Sequence, residues 1–479
     1  MGKDRFVYIG GGFIESQYLW VIPIVCSFCK EKKINNIIFD DNIYQKVLKN
    51  KKIYYLLNKF NIIINKKNKN LLTNIIKKIF IIFKNIFEIL NLVFSFKKKI
   101  TSNKKNWFQS QIYHSYWDTA LSMMKDNQIK PSLLQKILSA LIICETIQDT
   151  NLMLKKYHIK YSFLGHSVYK FRVILSIFRN HNIQNYCQAN YSFYLQDKYK
   201  DNSWNLIDNN TFKKISKRLN KNKVKKYWTQ RISGRSNYED ANIASKIKKK
   251  ISIYPKNVIL LHIFKDSPFN VIDNNRIFYD YFEWIDKTFL ILKHSTESWS
   301  IRIHPNSLRW GEDQKFIIKK LIDNHGLKNI ILDNNYISNN DLFKNVKRVI
   351  TFSGTSHLEA SAFGIKPIVI SEVTLSRLNI NYVHKPKNLQ IYKKLILCKS
   401  SNKIFDQKIK ISKVSKELIY IRENLLTLKS KLGGVSIYRG DNIKIFIKEI
   451  NLIRKNLDKN LHILKKIGIN FSNGQKYLQ

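Results

Sequence analysis

Hydrophobic and polar positions set a repeating rhythm along this chain. A short apolar run, Phe6–Gly10, meets Gly10-Gly11-Gly12. A helical pattern follows over Glu15–Lys30, then a second apolar run over Ile34–Phe39. Apolar runs that end at glycine and feed 3.6-periodic segments predict a βαβ opening. From Asn42 to Asn70 the pattern is helical or irregular. The strand rhythm returns with Ile159–Leu164, the loop Gly165-His166-Ser167, a helix over Tyr169–His181 and a strand over Asn185–Ala189. After Pro255 a strand is expected over Val258–Phe264. Three later runs each end in a polar loop: Ile301–Ile303 at His304-Pro305, Ile330–Leu332 at Asp333, and Val349–Phe352 at Ser353-Gly354-Thr355-Ser356. Each is followed by a helical pattern; Gly364 stops the last, and Lys366–Ser371 resumes as a strand. The expected fold is α/β, with two doubly wound, Rossmann-like domains facing a cleft, whose strand ends and helix N-termini gather on ligands.

Longer helical patterns lie between and beyond these runs. Leu71–Phe96 reads LLTNIIKKIFIIFKNIFEILNLVFSF, with KKNKN before it and KKK after it. Its length suits a membrane span, but Lys77, Lys78, Lys84 and Glu88 interrupt it. With Asn74, Asn85 and Asn91 they recur at spacings compatible with one helical face. The segment is therefore expected as an amphipathic helix in the membrane interface, or as a helix packed between the two domains. Ser132–Tyr157 and the lysine-rich stretches Phe212–Lys226 and onward to Lys250 are expected to be helical. Beyond Lys410 helices dominate, broken at Gly433-Gly434. The expected domains are 1–255, with 71–96 as a helical insertion, then 256–410, then C-terminal helices over 411–479 that pack back on the first. The junction should fall between Lys246 and Asn257.

Composition narrows the function class. With 479 residues, 44% hydrophobic and 13% aromatic, the chain is long and apolar enough for two substantial cores. Lys and Arg outnumber Asp and Glu by 84 to 34, a net charge of +50. The lysines are spread over the whole chain, and no helix-turn-helix, zinc-finger or aromatic RNA-binding pattern accompanies them. Anionic membrane surface and anionic sugar nucleotides are the expected partners, rather than nucleic acid. The five cysteines are scattered. Cys26 and Cys29 have CxxC spacing but no second pair or neighbouring histidines, so a buried structural pair is expected and not a zinc site. The opening enters a strand directly, which points to reducing cytoplasm, with a peripheral position on the inner face of the cytoplasmic membrane.

Two loops carry the residues an anionic ligand needs. Gly354 permits close backbone approach; Ser353, Thr355 and Ser356 offer hydroxyls, and one of them can cap the helix that starts near His357. Helix N-termini favour phosphate. Glu359, on the first turn, suits ribose hydroxyls. Pro305 fixes the backbone after His304 and holds that imidazole out of its strand, beside Arg302. At the first strand end a dinucleotide fingerprint would need glycine where Glu15 stands, so a Rossmann oxidoreductase fits poorly, although Asp40-Asp41 close the second strand.

The HP loop, the Ser/Thr-rich loop with its Glu, the small-residue helix and K-P-I-V-I together resemble the C-terminal domain of bacterial capsule polysaccharide biosynthesis proteins, including Kdo-transferring enzymes, and the HP and Ser/Thr motifs of bacterial sialyltransferases. The match covers roughly Leu260–Ser371; GHSVYKFR (Gly165–Arg172) and YWTQRISGRSNYEDANIA (Tyr227–Ala244) resemble related surface-carbohydrate proteins. The resemblance implies a GT-B glycosyltransferase with an N-terminal acceptor-side domain and a C-terminal nucleotide-sugar domain. Carried over, His304 contacts the nucleotide phosphate, Ser353 and Thr355 bind phosphate, and Glu359 lies near the ribose. Arg302, Pro305, Gly354 and Ser356 complete the expected donor site.

Transfer also needs a base for the acceptor hydroxyl and a dry site. The base stays open among Glu15, His166 and Asp266. No DxD-type run stands at a convincing strand end, so metal-independent transfer is expected, with Asp40-Asp41 and Asp273 as the places to reconsider. The expected function is a glycosyltransferase of capsule or lipopolysaccharide assembly, using a CMP-linked sugar as donor substrate and no other cofactor, with a lipid-linked or polysaccharide acceptor. The alternatives are a polyol-phosphate transferase of the teichoic-acid type and a non-catalytic, membrane-peripheral assembly protein.

Overall fold

The structure, a computed structural model, describes residues 4–10, 13, 15–39, 48–64, 71–102, 107–125, 127–165, 168–189, 192–196, 207–236, 255–265, 277–304, 307–308, 311–333, 337–352, 354–371, 378, 380–398, 408–426 and 443–475. The chain forms two compact units. The first takes in Met1–Ala120, Ser132–Ser203 and Leu426–Gln479, the second Leu121–Pro131 and Trp204–Leu425. Each is a Rossmann-like α/β unit built on its own sheet.

The first unit's sheet is ordered β3-β2-β1-β4-β5-β6, from β1 (Phe6–Gly10), β2 (Asn36–Phe39), β3 (Asn61–Ile64), β4 (Ile159–Leu164), β5 (Gln184–Ala189) and β6 (Ser192–Gln196). All pairs are parallel except β5 with β6. β1, β2 and β4 were legible as apolar runs because helices cover both faces of such a sheet. β3 lies in a stretch expected to be helical or irregular: a run of three isoleucines after Asn61 favours the extended state in spite of its lysine-rich flanks. The order reverses between β1 and β4. There the Gly10 carbonyl accepts from the Gly165 N–H at 2.9 Å, and a Cβ on Gly165 would lie 2.5 Å from the Phe13 nitrogen. Only glycine lets these two strand ends meet so closely.

Helix α1 (Glu15–Glu31) covers this sheet and packs on the C-terminal helix of the same unit. Cys26 and Cys29 are buried in α1 as free thiols. Burial pushes Cys26 up to about 12 and Cys29 further still, with Cys26 adding to the effect. Neither is a reactive thiolate. The helices α2 (Lys51–Leu57), α3 (Leu71–Lys84), α4 (Ile86–Ser102), α5 (Trp107–Ser122) and α6 (Leu133–Lys156) follow before β4. The expected single helix over 71–96 is in fact two, α3 and α4, parted at Asn85. The Asn85 side-chain amide donates to the Ile81 carbonyl at 2.9 Å, the local competition by which Asn weakens a helix interior. A capping box joins Ser132 and Gln135 at the start of α6. By length and a mean hydropathy of 1.3, α6 is the one helix among the described residues that could cross a bilayer. Its Ser139, Ala140, Ile143, Cys144 and Met153 are buried within the unit, whereas Leu133, Leu134, Leu138 and Leu152 are exposed.

After α7 (Lys170–Asn180), the second unit begins with α8 (Asn209–Arg218) and α9 (Lys221–Ile232). Its sheet comprises β7 (Asn257–Leu260), β8 (Trp299–Arg302), β9 (Ile330–Asp333), β10 (Arg348–Thr351) and β11 (Ile368–Val369), ordered β11-β10-β7-β8-β9 and parallel throughout. The crossovers are α10 (Tyr281–Leu292), α11 (Gln314–His325), α12 (Asn339–Asn345) and α13 (Ser356–Ala362); α14 (Leu389–Leu397) and α15 (Lys408–Tyr420) follow, and α15 ends in a π-helical turn, Ile421–Leu425. The final helix, α16 (Ile443–Ser472), belongs to the first unit.

The units divide at Ser203/Trp204 and not at 255/256. The reason is polar: α8 and α9 are tied to α15 and its π-turn, through Ser216 to Glu417 at 2.6 Å and Tyr227 to Glu423 at 2.7 Å. Most of the expected junction, residues 246–254, lies outside the described residues, as do Gly433-Gly434.

Gly468 marks the α1–α16 contact. A Cβ there would sit 2.2 Å from the Ile24 carbonyl oxygen and 3.0 Å from the Phe28 nitrogen. Both are backbone atoms and cannot turn away. Gly468→Ala is therefore expected to force the helices apart and cost about 1–3 kcal/mol, read as a lower urea midpoint. An unchanged midpoint would show that the crossing tolerates a methyl group.

Candidate functional site

The second unit's strand order reverses between β7 and β10, the place where ligands enter an open α/β sheet. The residues just past the ends of β7, β8 and β10 build this crevice. His262 follows the central strand β7. Its Nε2 lies 3.3 Å from Thr351 Oγ1, at the end of β10, and its ring stacks on Tyr281 of α10, centroids 5.3 Å apart and 11° from parallel. On one side stands His304, after β8, with ring centroids 6.4 Å apart. On the other is Gly354, where a Cβ would meet His262 Cε1 at 2.3 Å and Nε2 at 2.5 Å. Gly354 thus leaves room for an imidazole as well as for a ligand. Gly354→Val is expected to displace His262 and weaken ligand binding at least about tenfold, since any larger side chain takes the space of that ring. Equal affinity in the variant would exclude the crevice as the site.

Two residues of α11 and the loop before it fix these strand ends. Gln314 is fully buried. Its Oε1 accepts from the His304 N–H at 2.8 Å, and its Nε2 donates to the His262 carbonyl at 2.5 Å and to Glu312 Oε1 at 2.6 Å. The Glu312 carboxylate also accepts from the N–H groups of Phe264 and Lys265, both at 3.0 Å. Burial raises the Glu312 pKa, and these hydrogen bonds oppose the shift. The same bonds explain why β7 ends at Leu260 and not at Phe264 as the apolar run suggests. The N–H groups of Phe264 and Lys265 pair with a carboxylate instead of a strand.

On the β10 side, α13 begins with Ser356. Thr355 precedes it at the N-cap and makes no side-chain cap, so the expected hydroxyl cap is not formed by Thr355. The turn is held by His357, whose Nδ1–H donates to the Gly354 carbonyl at 2.5 Å and whose Nε2 accepts from Tyr382 at 3.2 Å. Glu359 takes Arg231 Nη2 at 2.5 Å on one oxygen and Asn339 Nδ2 at 2.8 Å on the other. Arg231 comes from the YWTQRISGR segment of α9 and also binds Glu423 through Nη1 at 2.6 Å.

The crevice histidines are neutral. Burial lowers His262 to about 3, helped by His304 and His357. Burial lowers His304 to about 4 and His357 to about 4, where Gly354 opposes the shift and Arg422 and Lys385 add to it. Of these, His262 and His304 can meet a phosphate as neutral hydrogen-bonding groups without a cation's desolvation cost, whereas both ring nitrogens of His357 are taken by Gly354 and Tyr382. All three folded values lie below the unfolded value of about 6.5. The unfolded chain takes up these protons first, so the stability is fully present above pH 6.5. It is lost as pH falls through the window from 6.5 to about 4, and to about 3 for His262. The expected slope is about 1.4 kcal/mol per pH unit for each fully titrating histidine. Melting temperatures of wild type and His357→Asn between pH 7 and 4.5 check this. Parallel curves would rule out a contribution from His357.

Of the expected donor-site residues, the structure brings His304, Gly354, Thr355 and Ser356 to one sheet edge. Pro305 and Ser353 lie outside the described residues. Arg302 does not join them: it donates to the Ile337 carbonyl at 2.7 Å and faces Asp333 at 3.6 Å, so it ties β8 and β9 to the α12 loop and is not placed for a phosphate. Among the base candidates, Glu15 opens α1 in the first unit. His166 and Asp266 lie outside the described residues, as do Asp40-Asp41 and Asp273. Sequence reasoning missed His262, Glu312, Gln314, His357 and Arg231. A polar residue straight after a strand, as at His304, was the available signal for His262.

The chain's similarities to known proteins lie in its shape. No protein-family model matches it, and no curated protein matches it in sequence. Among solved structures it is similar to Methanocaldococcus jannaschii UDP-GlcNAc 2-epimerase in complex with UDP-GlcNAc and UDP, at 14% identity, covering 88% of this chain and 99% of that one, with a TM-score of 0.28. The Neisseria meningitidis UDP-GlcNAc 2-epimerase bound to UDP-GlcNAc shares 12% identity over 88% of this chain and 98% of its own, TM-score 0.22. The Medicago truncatula protein UGT71G1, complexed with UDP-glucose, shares 10% over 94% and 98%, TM-score 0.22. At such scores these likenesses assign no residue. The class, two Rossmann-like α/β units in one chain, rests on the two strand orders.

Proposed function

We propose that the chain is a GT-B-type glycosyltransferase of surface-polysaccharide assembly, which takes its sugar from a nucleotide-activated donor held in the second unit's crevice. The observation that supports this most is the convergence of His262, His304 and the Gly354–Ser356 turn at the sheet's switch point, braced by Gln314. In the reaction an acceptor hydroxyl oxygen bonds to the anomeric carbon, and the bond from that carbon to the donor phosphate breaks. The nucleotide leaves with the electron pair, and the hydroxyl proton passes to a base, for which Glu15, His166 and Asp266 remain the candidates. The imidazoles of His262 and His304 are suited to the charge gathering on the leaving phosphate. This route calls on no metal ion. Each Glu359 oxygen keeps a lone pair for a ribose hydroxyl while bound to Arg231 or Asn339.

A CMP-linked donor and a lipid-linked or polysaccharide acceptor on the cytoplasmic side follow from the sequence resemblance and are part of the proposal. Titration with CMP, UDP, GDP and CDP-glycerol tests it. Binding of CMP that weakens in His304→Ala supports it, whereas preference for CDP-glycerol would favour polyol-phosphate transfer. Conversion of UDP-GlcNAc without any acceptor would overturn the transferase reading, and so would failure of every nucleotide to bind.

A further inference from the structure

The first unit carries an apolar surface that its fold does not use. Along α3 and α4, Ile76, Ile79, Phe80, Phe83, Ile86, Phe87, Leu90 and Phe94 are all exposed, Phe83 at 77%, Phe87 at 81% and Phe94 at 73%. Their spacing is helical and runs through the break at Asn85. At about 100° per residue they fall within an arc of about 120°. Ile81, Ile89 and Leu92 lie on the opposite side and are buried, where the two helices pack against α6. The exposed arc is thus a second apolar face and not the edge of the core. An exposed patch of this kind marks an interaction site.

Its borders indicate the occupant. Lys84 is exposed just beyond one edge of the arc, with Nζ 6.0 Å from the Phe80 ring centroid, while Lys78 and Glu88, also exposed, lie further round the helices. In sequence the pair of helices follows KKNKN, and Phe96 is followed by three lysines. Four aromatic rings between cationic borders suit an interface where rings sit among acyl chains and ammonium groups reach phosphates. A cavity of about 460 Å³ opens between α4, α5 and α6, where Lys84 and Lys155 stand with the Glu88 carboxylate and the amides of Asn85, Asn91 and Gln148. Its lining is mixed, as for a polar headgroup beside apolar chains. A protein partner would need charge complementary to the cationic border; an anionic bilayer supplies that charge in any lateral position.

We propose that the α3–α4 face docks the protein on anionic lipid bilayer, lying in the interface and not spanning it. This stands apart from the nucleotide reading, since it uses the other unit. The wild-type chain should float with vesicles containing phosphatidylglycerol and far less with pure phosphatidylcholine. The combined variant Phe83→Glu, Phe87→Glu, Phe94→Glu should lose at least about tenfold in partition, because each buried ring contributes of that order. All three rings are exposed, so the far-ultraviolet circular dichroism should not change. As a second readout, Phe87→Trp should add fluorescence that brominated anionic lipids quench. Flotation of the triple variant like wild type, or an unquenched Trp at position 87, would overturn the proposal. So would a wild-type dimer, in the absence of lipid, that the triple variant converts to monomer, because a second copy would then own the face.

Discussion

Methionine in place of Arg231 is expected to destabilise the second unit by about 3–5 kcal/mol, the cost of leaving buried charge without its partner. Arg231 is 3% exposed. Its Nη1 bonds both Glu423 oxygens at 2.6 Å, and its Nη2 bonds Glu359 at 2.5 Å. Tyr227 adds a bond to Glu423 at 2.7 Å, and Arg422 lies 3.5 Å from the same carboxylate. One guanidinium thus ties α9, α13 and the π-turn after α15 together. Methionine fills a similar volume, so the change removes charge more than packing. Among the described residues, Glu359 would keep Asn339, and Glu423 would keep Tyr227 and Arg422. Adding Glu423→Leu to Arg231→Met should recover part of the loss, since the orphaned carboxylate is then gone. Urea midpoints of the two variants decide the matter. A single-variant loss below about 1 kcal/mol would mean that the ion cluster is well hydrated and is not what joins these helices.

This cluster also shows what a sequence can and cannot display. The YWTQRISGR segment was conspicuous as a motif, yet its partners Glu359 and Glu423 lie 128 and 192 residues further on. Nothing local to α9 names them. By contrast, β8, β9 and β10 announce themselves, because each is a short apolar-rich run that ends where a polar loop takes the chain out of the sheet. That is why His304 and the Gly354 turn could be placed on one edge before any coordinates. His262 obeys the same rule but was read as strand interior. Apolar Ile263 and Phe264 follow it, and only the Glu312 carboxylate, distant in sequence, shows that the ladder has already ended. Arg302 illustrates the converse error: beside His304 in sequence, it is drawn away by Asp333 and Ile337 on the next strand and its loop. The unit boundary was misplaced for a related reason. A lysine-rich helix reads as a solvated linker, although Tyr227, Val224 and Arg231 of α9 are buried against the second unit. Composition reports the exposed face of such a helix more loudly than the buried one.

Removing either crevice histidine should leave the fold in place and remove about 2.7–4 kcal/mol of transition-state stabilisation, a fall of about 10²–10³ in turnover, the usual loss for one donor to a developing anion. The expectation applies to His304→Ala and His262→Ala once a donor is known. The two should not behave alike. The His304 N–H donates to Gln314, its carbonyl accepts from the Ser307 N–H at 3.0 Å, and its ring centroid lies 6.4 Å from that of His262. Its loss should therefore lower kcat with little effect on KM if the phosphate charge gathers beside it only in the transition state. His262 lies between Tyr281, Thr351 and the Gly354 turn. Its removal also lets that turn relax, so KM should rise as well. If both histidines flank one phosphate position, as proposed, the double variant should lose less than the product of the single losses. His262→Asn keeps a donor and some volume, and should recover part of the KM effect. If both single variants turn over donor at the wild-type rate, the phosphate does not sit at this switch point, whatever the two sheets share with other Rossmann-like units.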